Sequence, residues 1–174
     1  MKGARSFNFD RITERLDLKV HETILEVNLN AIVNNLDKYR SMLSADTKIA
    51  CMVKASAYGT GAIEVAKTLQ DCKVDYLAVA VADEGRELRN AGITTSIMVM
   101  NPERTSFKLL FDYKLEPEIY SFHLLEELIR AAEHNGITNF PIHIKIDTGM
   151  HRLGFAPSDI PELVRRLKRQ TAVI

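Results

Sequence analysis

The sequence predicts an α/β fold that forms part of a (β/α)8 barrel of the TIM type. Short apolar segments alternate with helical periodicity at roughly 20 to 30 residue intervals, which is typical of parallel βαβ units. An open doubly wound sheet is the other closure, but the Gly-x-Gly-x-x-Gly fingerprint of a dinucleotide fold is absent after the first strand. Gly59-Thr60-Gly61 is too short to replace it. We therefore expect catalytic groups at the C-terminal ends of barrel strands.

Length, net charge and residue composition limit the classes of function that this sequence can have. A length of 174 residues suits one domain or part of a larger barrel, and a formal net charge of +0 gives no basic surface for nucleic acid. No stretch approaches the ~20 apolar residues of a membrane span, and no signal peptide is evident. We expect a cytoplasmic protein with no membrane partner, with Cys51 and Cys72 as reduced thiols. The scattered histidines predict no metal site.

The elements follow in order after residues 1–20, a charged segment that we interpret as a tail or linker. Strands are predicted at 24–29, 49–53, 76–80, 97–100, 115–120 and 141–147, with 171–174 approaching a further strand. Helices are predicted after Asn30, near Thr60, over 83–90, from Pro102 with Asn101 as cap, after Ser121 and after Ser158. The first helix places Ile32, Leu36, Tyr39 and Leu43 on one stripe, and the last buries Ile160, Leu163, Val164 and Leu167. This amounts to roughly five to six βα units.

Lys54 ends an apolar run, residues 49–53, that then breaks into small residues and glycine. Such a run is typical of a strand buried on both faces. At its dry end an ammonium is disfavoured relative to the neutral amine, so we expect the pKa of Lys54 to fall. A neutral amine attacks carbonyl carbon, which makes Lys54 a candidate for the Schiff base that holds pyridoxal phosphate. The alternative is a structural lysine whose ammonium stays in water.

A second stretch, residues 141–154, shows strict alternation of apolar and polar side chains. One face carries Ile142, Ile144 and Ile146, and the other carries His143, Lys145 and Asp147. In an antiparallel sheet the polar face would be solvated, whereas in a barrel the isoleucines face the helices and the polar set faces the interior. His143 is then either a partner in a core hydrogen bond or a group that shapes the site.

The barrel arrangement creates a charge problem. Lys54, Lys145 and Arg152 would converge with only Asp147 as a nearby carboxylate. Because unpaired buried charge is costly, an anion such as a phosphate or a substrate carboxylate is needed to neutralise them. The planar fork of Arg152 suits a carboxylate, and the glycines of its loop let the backbone approach a ligand. By contrast, residues 83–87 are interpreted as a solvated helix start.

Two motifs, VKASAYGTG at 53–61 and KIDTGMHRLG at 145–154, closely resemble the paired motifs of alanine racemases. The lead-in at 25–31 also resembles the opening of that family. The resemblance implies that residues 21–174 are the N-terminal part of a pyridoxal-phosphate barrel, lacking the rest of the barrel and the C-terminal β-domain. Residues 1–16 resemble the end of the UDP-N-acetylmuramoyl-tripeptide:D-alanyl-D-alanine ligase, which implies a ligase fusion.

The resemblance also implies roles for individual residues. Lys54 would be the Schiff-base lysine and one of two proton-transfer bases, and Tyr58 would contact the cofactor phosphate. Arg152 would hydrogen-bond the cofactor phenolic oxygen and help to place the substrate carboxylate. Lys145 corresponds to a lysine that is carbamylated in some members, whose added negative charge orients the arginine. Ser56 and Thr60 stand where the commoner motif has Asn and His, which implies altered tuning rather than lost chemistry.

The implied function is the interconversion of L-alanine and D-alanine for peptidoglycan precursor synthesis. The implied assembly is a homodimer in which the partner's C-terminal domain completes the active site with a tyrosine base. We expect the chain to be the N-terminal half of the catalytic barrel and to be inactive alone. The alternatives are a non-catalytic barrel module that binds pyridoxal phosphate, and a related D-amino-acid aldolase or decarboxylase.

Overall fold

A five-stranded parallel sheet in the order β1-β2-β3-β4-β5 is the centre of the fold. The structure, a computed structural model, describes residues 24–174, so the predicted tail at 1–20 lies outside the described residues. Each strand pairs with the next one in the sequence, as expected of successive βα units in a barrel wall. The strands are β1 (Ala50–Met52), β2 (Tyr76–Val79), β3 (Ser96–Val99), β4 (Glu116–Ile119) and β5 (His143–Ile144).

One helix precedes the first strand, and the others alternate with the strands and cover one side of the sheet. They are α1 (Leu29–Arg40), α2 (Ala62–Asp71), α3 (Ala82–Asn90), α4 (Phe107–Asp112), α5 (Phe122–His134) and α6 (Ile160–Leu167), with 3₁₀ turns at Arg104–Ser106 and Pro157–Asp159. As predicted, Ser121 caps α5, and its Oγ accepts a hydrogen bond from Leu124 N at 3.2 Å. None of the helices described here has the length and apolar character needed to cross a bilayer.

The two faces of the sheet differ in chemistry. The face toward the helices, called the helix face, is apolar and forms one core with them; it includes Leu77, Val79, Ile97, Val99, Leu115 and Ile119, each 0% exposed. The opposite face, called the inner face, carries Met98, Glu116, Glu118 and His143, which the register places beside one another. Ile142, Ile144 and Ile146 pack against the helix-face core, which confirms the predicted alternation.

The predicted strand at 24–29 is wrong, because the described residues before Leu29 form no strand. Helix α1 instead begins at Leu29, and Asn28 rather than Asn30 is its cap. The Asn28 side-chain oxygen accepts from Ala31 N at 3.1 Å, which satisfies an otherwise free amide of the first turn. Tyr39 is 70% exposed, so the predicted apolar stripe of this helix does not extend to it.

Three further expectations are corrected. Pro102 does not begin a helix; the chain first makes the 3₁₀ turn at Arg104–Ser106. In α6 only Leu163 is buried, whereas Ile160 and Val164 are 40% and 43% exposed. Strand β1 is not buried on both faces, because Ala50 is exposed and Cys51 and Met52 are only partly buried.

The chain end behaves as the sequence predicts. Residues 171–174 run parallel to residues 139–142, with a bridge between Phe140 and Val173. Phe140 N donates to Ala172 O at 2.9 Å, and Ala172 and Val173 are buried. The pairing adds a further strand-like segment beside the stretch that leads into β5.

Arg89 ties the N-terminal ends of two strands together. Its guanidinium, on α3, donates to the carbonyl oxygens of Ile93, Thr95, Tyr113 and Lys114 at 2.9, 2.6, 3.1 and 3.2 Å. These carbonyls lie just before β3 and β4. The planar fork of arginine suits four divergent acceptors, which a lysine ammonium cannot reach together.

We expect Arg89→Lys to lower the free energy of unfolding by about 2 to 3 kcal/mol, because several carbonyls lose a charge-assisted donor. Urea denaturation followed by circular dichroism measures the change. The matched control is Arg86→Lys on the same helix, where an exposed ion pair with Asp83 is expected to contribute less than about 0.5 kcal/mol. Equal losses in the two variants would contradict the proposed role of Arg89.

Candidate active site

The sequence-predicted site residues lie at one end of the sheet. Because the strands are parallel, their C-terminal ends coincide, and Lys54 follows β1 while Lys145 follows β5. These strands are the two edges of the sheet, which curls so that Tyr76 of β2 and His143 of β5 meet with ring centroids 5.4 Å apart. The structure thus places Lys54 and Lys145 at the same end of the sheet, with Arg152 in the loop that follows Lys145.

The backbone after Lys54 forms a left-handed turn over Lys54–Gly59. Ala55, Ser56, Ala57 and Tyr58 have φ values of 50°, 54°, 51° and 58°. For L-residues this conformation costs about 1 to 2 kcal/mol each, because Cβ approaches the following carbonyl oxygen. The sequence did not predict this turn, since Ala, Ser and Tyr do not favour positive φ. Strained backbone beside a candidate reactive lysine is consistent with a functional site.

Local contacts hold the left-handed turn. Ala57 is buried and its amide donates to Val53 O at 3.0 Å, while Gly61 N donates to Ser56 O at 3.0 Å. Thr60 Oγ1 donates to Ala57 O at 2.6 Å. Thr60, which stands where the commoner motif has His, therefore has a local structural role, because its hydroxyl closes the end of the turn.

The two lysines differ in how their amines are engaged. Lys54 is partly buried and makes no side-chain hydrogen bond or ion pair with another described residue, whereas Lys145 Nζ donates to Glu118 Oε2 at 2.7 Å. Tyr58, at the end of the left-handed turn, is 66% exposed. Of these two lysines at strand ends, Lys54 is thus the one whose amine has no partner among the described residues.

The expectation that Asp147 is the only nearby carboxylate is wrong. Glu118 pairs with Lys145, and Glu116 Oε2 lies 2.8 Å from His143 Nε2. Both glutamates project from β4 onto the inner face, with Pro117 between them on the helix face. The acidic pair at alternate positions of a predicted strand was the signal that could have revealed them.

Asp147 organises the loop that carries Arg152. Its Oδ1 accepts from Gly149 N at 2.9 Å and from His151 N at 3.0 Å, and Oδ2 lies 3.1 Å from His151 Nδ1. The two backbone hydrogen bonds lower the pKa of the Asp147 carboxyl. Arg152 itself is exposed. Asp147 therefore acts on the shape of the loop rather than on Lys145.

Gly154 closes the same loop. Asp147 N donates to Phe155 O at 2.9 Å and Phe155 N donates to Lys145 O at 2.8 Å, so the loop returns on itself. Gly154 has φ +134°, and a Cβ there would lie 2.5 Å from Asp147 N. Only glycine fits this close approach of two backbone segments.

Glu84 was missed as a site residue. Its Oε1 accepts from Ala55 N at 2.6 Å, and its Oε2 accepts from Ala80 N at 2.7 Å. The interpretation of residues 83–87 as a solvated helix start is therefore wrong for this side chain. No sequence signal marked it, because the contact joins residues that are 29 positions apart.

Residues 24–174 contain no group of three or more His, Cys, Asp and Glu side chains suited to hold a metal ion. Cys51 and Cys72 are free thiols, and burial raises the pKa of Cys51.

Glu116 gives the inner face a dependence on pH. The hydrogen bond with His143 lowers the pKa of the Glu116 carboxyl, assisted by a hydrogen bond with Ser96. A lowered folded-state pKa contributes stability that is complete above the unfolded glutamate value of about 4.3. That contribution is lost as the pH falls through the folded-state pKa.

We expect Glu116→Gln to lower the free energy of unfolding by about 1 to 2 kcal/mol at neutral pH and to flatten its decline below about pH 4.3. Chemical denaturation across acidic pH values measures both effects. The control is Glu133→Gln, a substitution at an exposed position of α5. An equal decline in the free energy of unfolding below about pH 4.3 with and without Glu116→Gln would contradict this role.

Comparison with known proteins identifies the family of this chain. The profile of the alanine racemase N-terminal domain matches residues 27–174. The alanine racemase of Halothermothrix orenii is 38% identical over 147 residues, covering 83% of this chain and 38% of that protein. The solved alanine racemase of Clostridium difficile 630 has a TM-score of 0.79 at 35% identity, covering 87% of this chain and 41% of that one. The enzyme from E. faecalis has a TM-score of 0.75 at 30% identity, covering 85% and 40%.

The chain thus spans about two fifths of the length of these relatives. Its parallel sheet corresponds to the N-terminal portion of their barrel, which confirms the predicted fold class. With a matched profile over most of its length, this chain belongs to the alanine racemase N-terminal domain family.

Proposed function

We propose that the protein containing this chain interconverts L-alanine and D-alanine with pyridoxal phosphate. The observation that carries the proposal is the uncommitted amine of Lys54, held at the C-terminal end of β1 by a strained turn. Family membership supports the same reaction, since the relatives matched are alanine racemases. The activity is assigned to the whole protein, because the chain spans only part of those relatives.

The donor set fits the cofactor. An aldehyde requires an amine that is not engaged elsewhere, and Lys54 meets this condition among the described residues whereas Lys145 is engaged by Glu118. The exposed hydroxyl of Tyr58 follows on the same turn and would donate to the cofactor phosphate. When bound, pyridoxal phosphate withdraws electrons from the substrate α-carbon and makes its proton acidic.

Lys54 and Arg152 would have separate roles in the reaction. Lys54 Nζ would hold the cofactor and, once displaced by substrate, take or return the α-proton on one face. Arg152 would place the substrate carboxylate through its planar fork, on a loop that Asp147 and Gly154 keep in shape. Racemisation needs a second base on the opposite face, which we assign to the C-terminal domain of a partner subunit in a homodimer.

The cellular setting is part of the proposal. D-alanine is proposed to feed peptidoglycan precursor synthesis in the cytoplasm, a setting that suits the two free thiols. The ligase fusion remains a prediction, because residues 1–16 lie outside the described residues.

The proposal is tested with L-alanine in heavy water, using the longest native protein that contains this chain. We expect both enantiomers to form with deuterium at the α-carbon. Lys54→Arg is expected to reduce the rate by about a thousandfold or more, because arginine cannot hold the aldehyde or exchange the proton. Lys67→Arg, at an exposed position of α2, is the control and should retain the rate. Deuterium exchange and enantiomer ratio are read by mass spectrometry and chiral chromatography.

Other outcomes identify the alternatives. Release of carbon dioxide or of an aldehyde without racemisation would indicate a decarboxylase or an aldolase. Cofactor binding at Lys54 with no turnover of alanine by the dimer would indicate a non-catalytic module. Either result would overturn the proposed activity.

Carbamylation of Lys145 is also proposed, and Glu118 competes with it. Carbon dioxide adds to a neutral amine and a proton is released, which leaves a carbamate anion. The charge-assisted hydrogen bond to Glu118 has to open first, and the carbamate would then face a carboxylate of like charge. We infer that the pair limits uptake of carbon dioxide.

We therefore expect Glu118→Gln to raise the carbamylated fraction several-fold, measured by intact mass without reduction in bicarbonate buffer and by mapping of the Lys145 peptide. Lys145→Arg is the control and should carry no adduct there. An unchanged fraction in Glu118→Gln would show that the pair does not limit uptake. Absence of the adduct at every carbon dioxide pressure would remove the carbamylation proposal itself.

A further inference from the structure

Glu84 joins two successive βα units through one carboxylate. It lies in the first turn of α3, and its Oε1 accepts from Ala55 N at 2.6 Å. Its Oε2 accepts from Ala80 N at 2.7 Å and from Val81 N at 3.4 Å. The first donor is the amide directly after Lys54, and the other two belong to the loop that follows β2. The side chain therefore links the peptide next to Lys54 to the neighbouring strand end.

The hydrogen bond between Ala55 N and Glu84 lies where the strained backbone begins. Ala55 is the first residue at positive φ in the left-handed turn, with φ 50° and ψ 51°. No backbone carbonyl of the described residues accepts from Ala55 N, so Glu84 is its partner in the protein. A carboxylate has two acceptor oxygens and no donor, which matches amides approaching from two sides. Hydrogen bonds to a charged acceptor are about twice as strong as neutral ones.

The peptide that Glu84 holds also determines where the Lys54 side chain points. The N–H of Ala55 and the carbonyl of Lys54 belong to one planar peptide unit, so fixing the amide fixes the ψ angle of Lys54. A turn at positive φ that lost this contact could relax toward ordinary backbone conformations, because each residue would recover about 1 to 2 kcal/mol. Such relaxation would swing the lysine away from the end of the sheet.

We infer that Glu84 is a positioning residue for Lys54, acting through the Ala55 amide to keep the left-handed turn and the amine in place. The inference deepens the proposed function and rests on it for the meaning of the Lys54 amine. Glu84 does not touch substrate or cofactor in this role. It couples the turn after β1 to the loop after β2, so that both move as one unit.

The test compares Glu84→Gln with Glu87→Gln in the full native protein. Glutamine keeps the size of Glu84 but offers one acceptor oxygen, so one of the two links is lost. Glu87 is exposed on the same helix and provides the identical substitution as control. Attachment of pyridoxal phosphate to Lys54 is trapped with borohydride at a series of pH values and mapped to its peptide. Amide hydrogen exchange over residues 54–61 and a thermal melt are recorded in parallel.

We expect Glu84→Gln to slow Lys54 labelling about tenfold, to shift its pH profile and to accelerate exchange in the turn, with little change in the melting temperature. Labelling of other lysines and all readouts for Glu87→Gln should stay as in the unsubstituted protein. Glu84→Asp keeps both acceptor oxygens on a shorter stem, and we expect it to restore part of the labelling rate.

Two results would overturn the inference. One is labelling of Lys54 in Glu84→Gln at the unsubstituted rate and with an unchanged pH profile. The other is unchanged hydrogen exchange over residues 54–61, which would mean that Glu84 does not hold the turn. The failure of the proposed function looks different, because Lys54 would then remain unlabelled in the unsubstituted protein while the exchange measurement still reports on Glu84. If Glu84→Gln does not fold, Glu84→Asp carries the test, because its shorter stem weakens both links. Labelling of Lys54 and hydrogen exchange identical to those of the unsubstituted protein would then overturn the inference.

Discussion

The alternation of side chains along β4 and β5 is the constraint on which the site depends. A shift of one residue in β4 would move Glu116 and Glu118 into the helix-face core. The same shift in β5 would move His143 and Lys145 there and would expose the isoleucines. The observed register instead places Glu118 beside His143 on the inner face, and Lys145 follows at the next inward position. Charges on this face are tolerated because they are paired, since a half-buried ion without a partner would be expensive. The same register that buries the isoleucines therefore builds the polar interior.

This pairing also separates two lysines that look equivalent in sequence. Both follow a strand at its C-terminal end, where parallel topology collects functional groups. Lys145 has Glu118 from the neighbouring strand β4, whereas Lys54 follows β1, whose neighbour β2 pairs with it through Tyr76, Leu77 and Ala78 and offers no carboxylate. A lysine without a carboxylate partner can attack a carbonyl carbon without first breaking an ion pair. Chemical difference thus arises from strand order rather than from local sequence.

Much of the fold was predictable because it depends on local periodicity. Spacing of two or 3.6 residues predicts the order of strands and helices and the position of the isoleucines on the helix face, and it places Ser121 at the start of a helix. The contacts of Glu84, Glu116 and Glu118 were not predictable in this way, since each depends on which strands become neighbours and in what register. The left-handed turn was missed for a different reason. Its residues have no preference for positive φ, so only tertiary contacts can select that conformation.

The loop at Gly154 and the turn after Lys54 reach unusual backbone conformations in different ways. At Gly154 the residue itself removes the difficulty, because the absence of Cβ allows the backbone segments around Asp147 to meet. After Lys54 the chain uses ordinary L-residues at positive φ, so the unfavourable conformation has to be offset by contacts from outside the turn. Glu84 supplies such a contact from another βα unit, and the Thr60 hydroxyl just after the turn and the burial of Ala57 within it add to this support. A turn held in this manner is sensitive to substitutions far from it in sequence, and the geometry of Lys54 is consequently a property of the sheet and its helices as well as of its own motif.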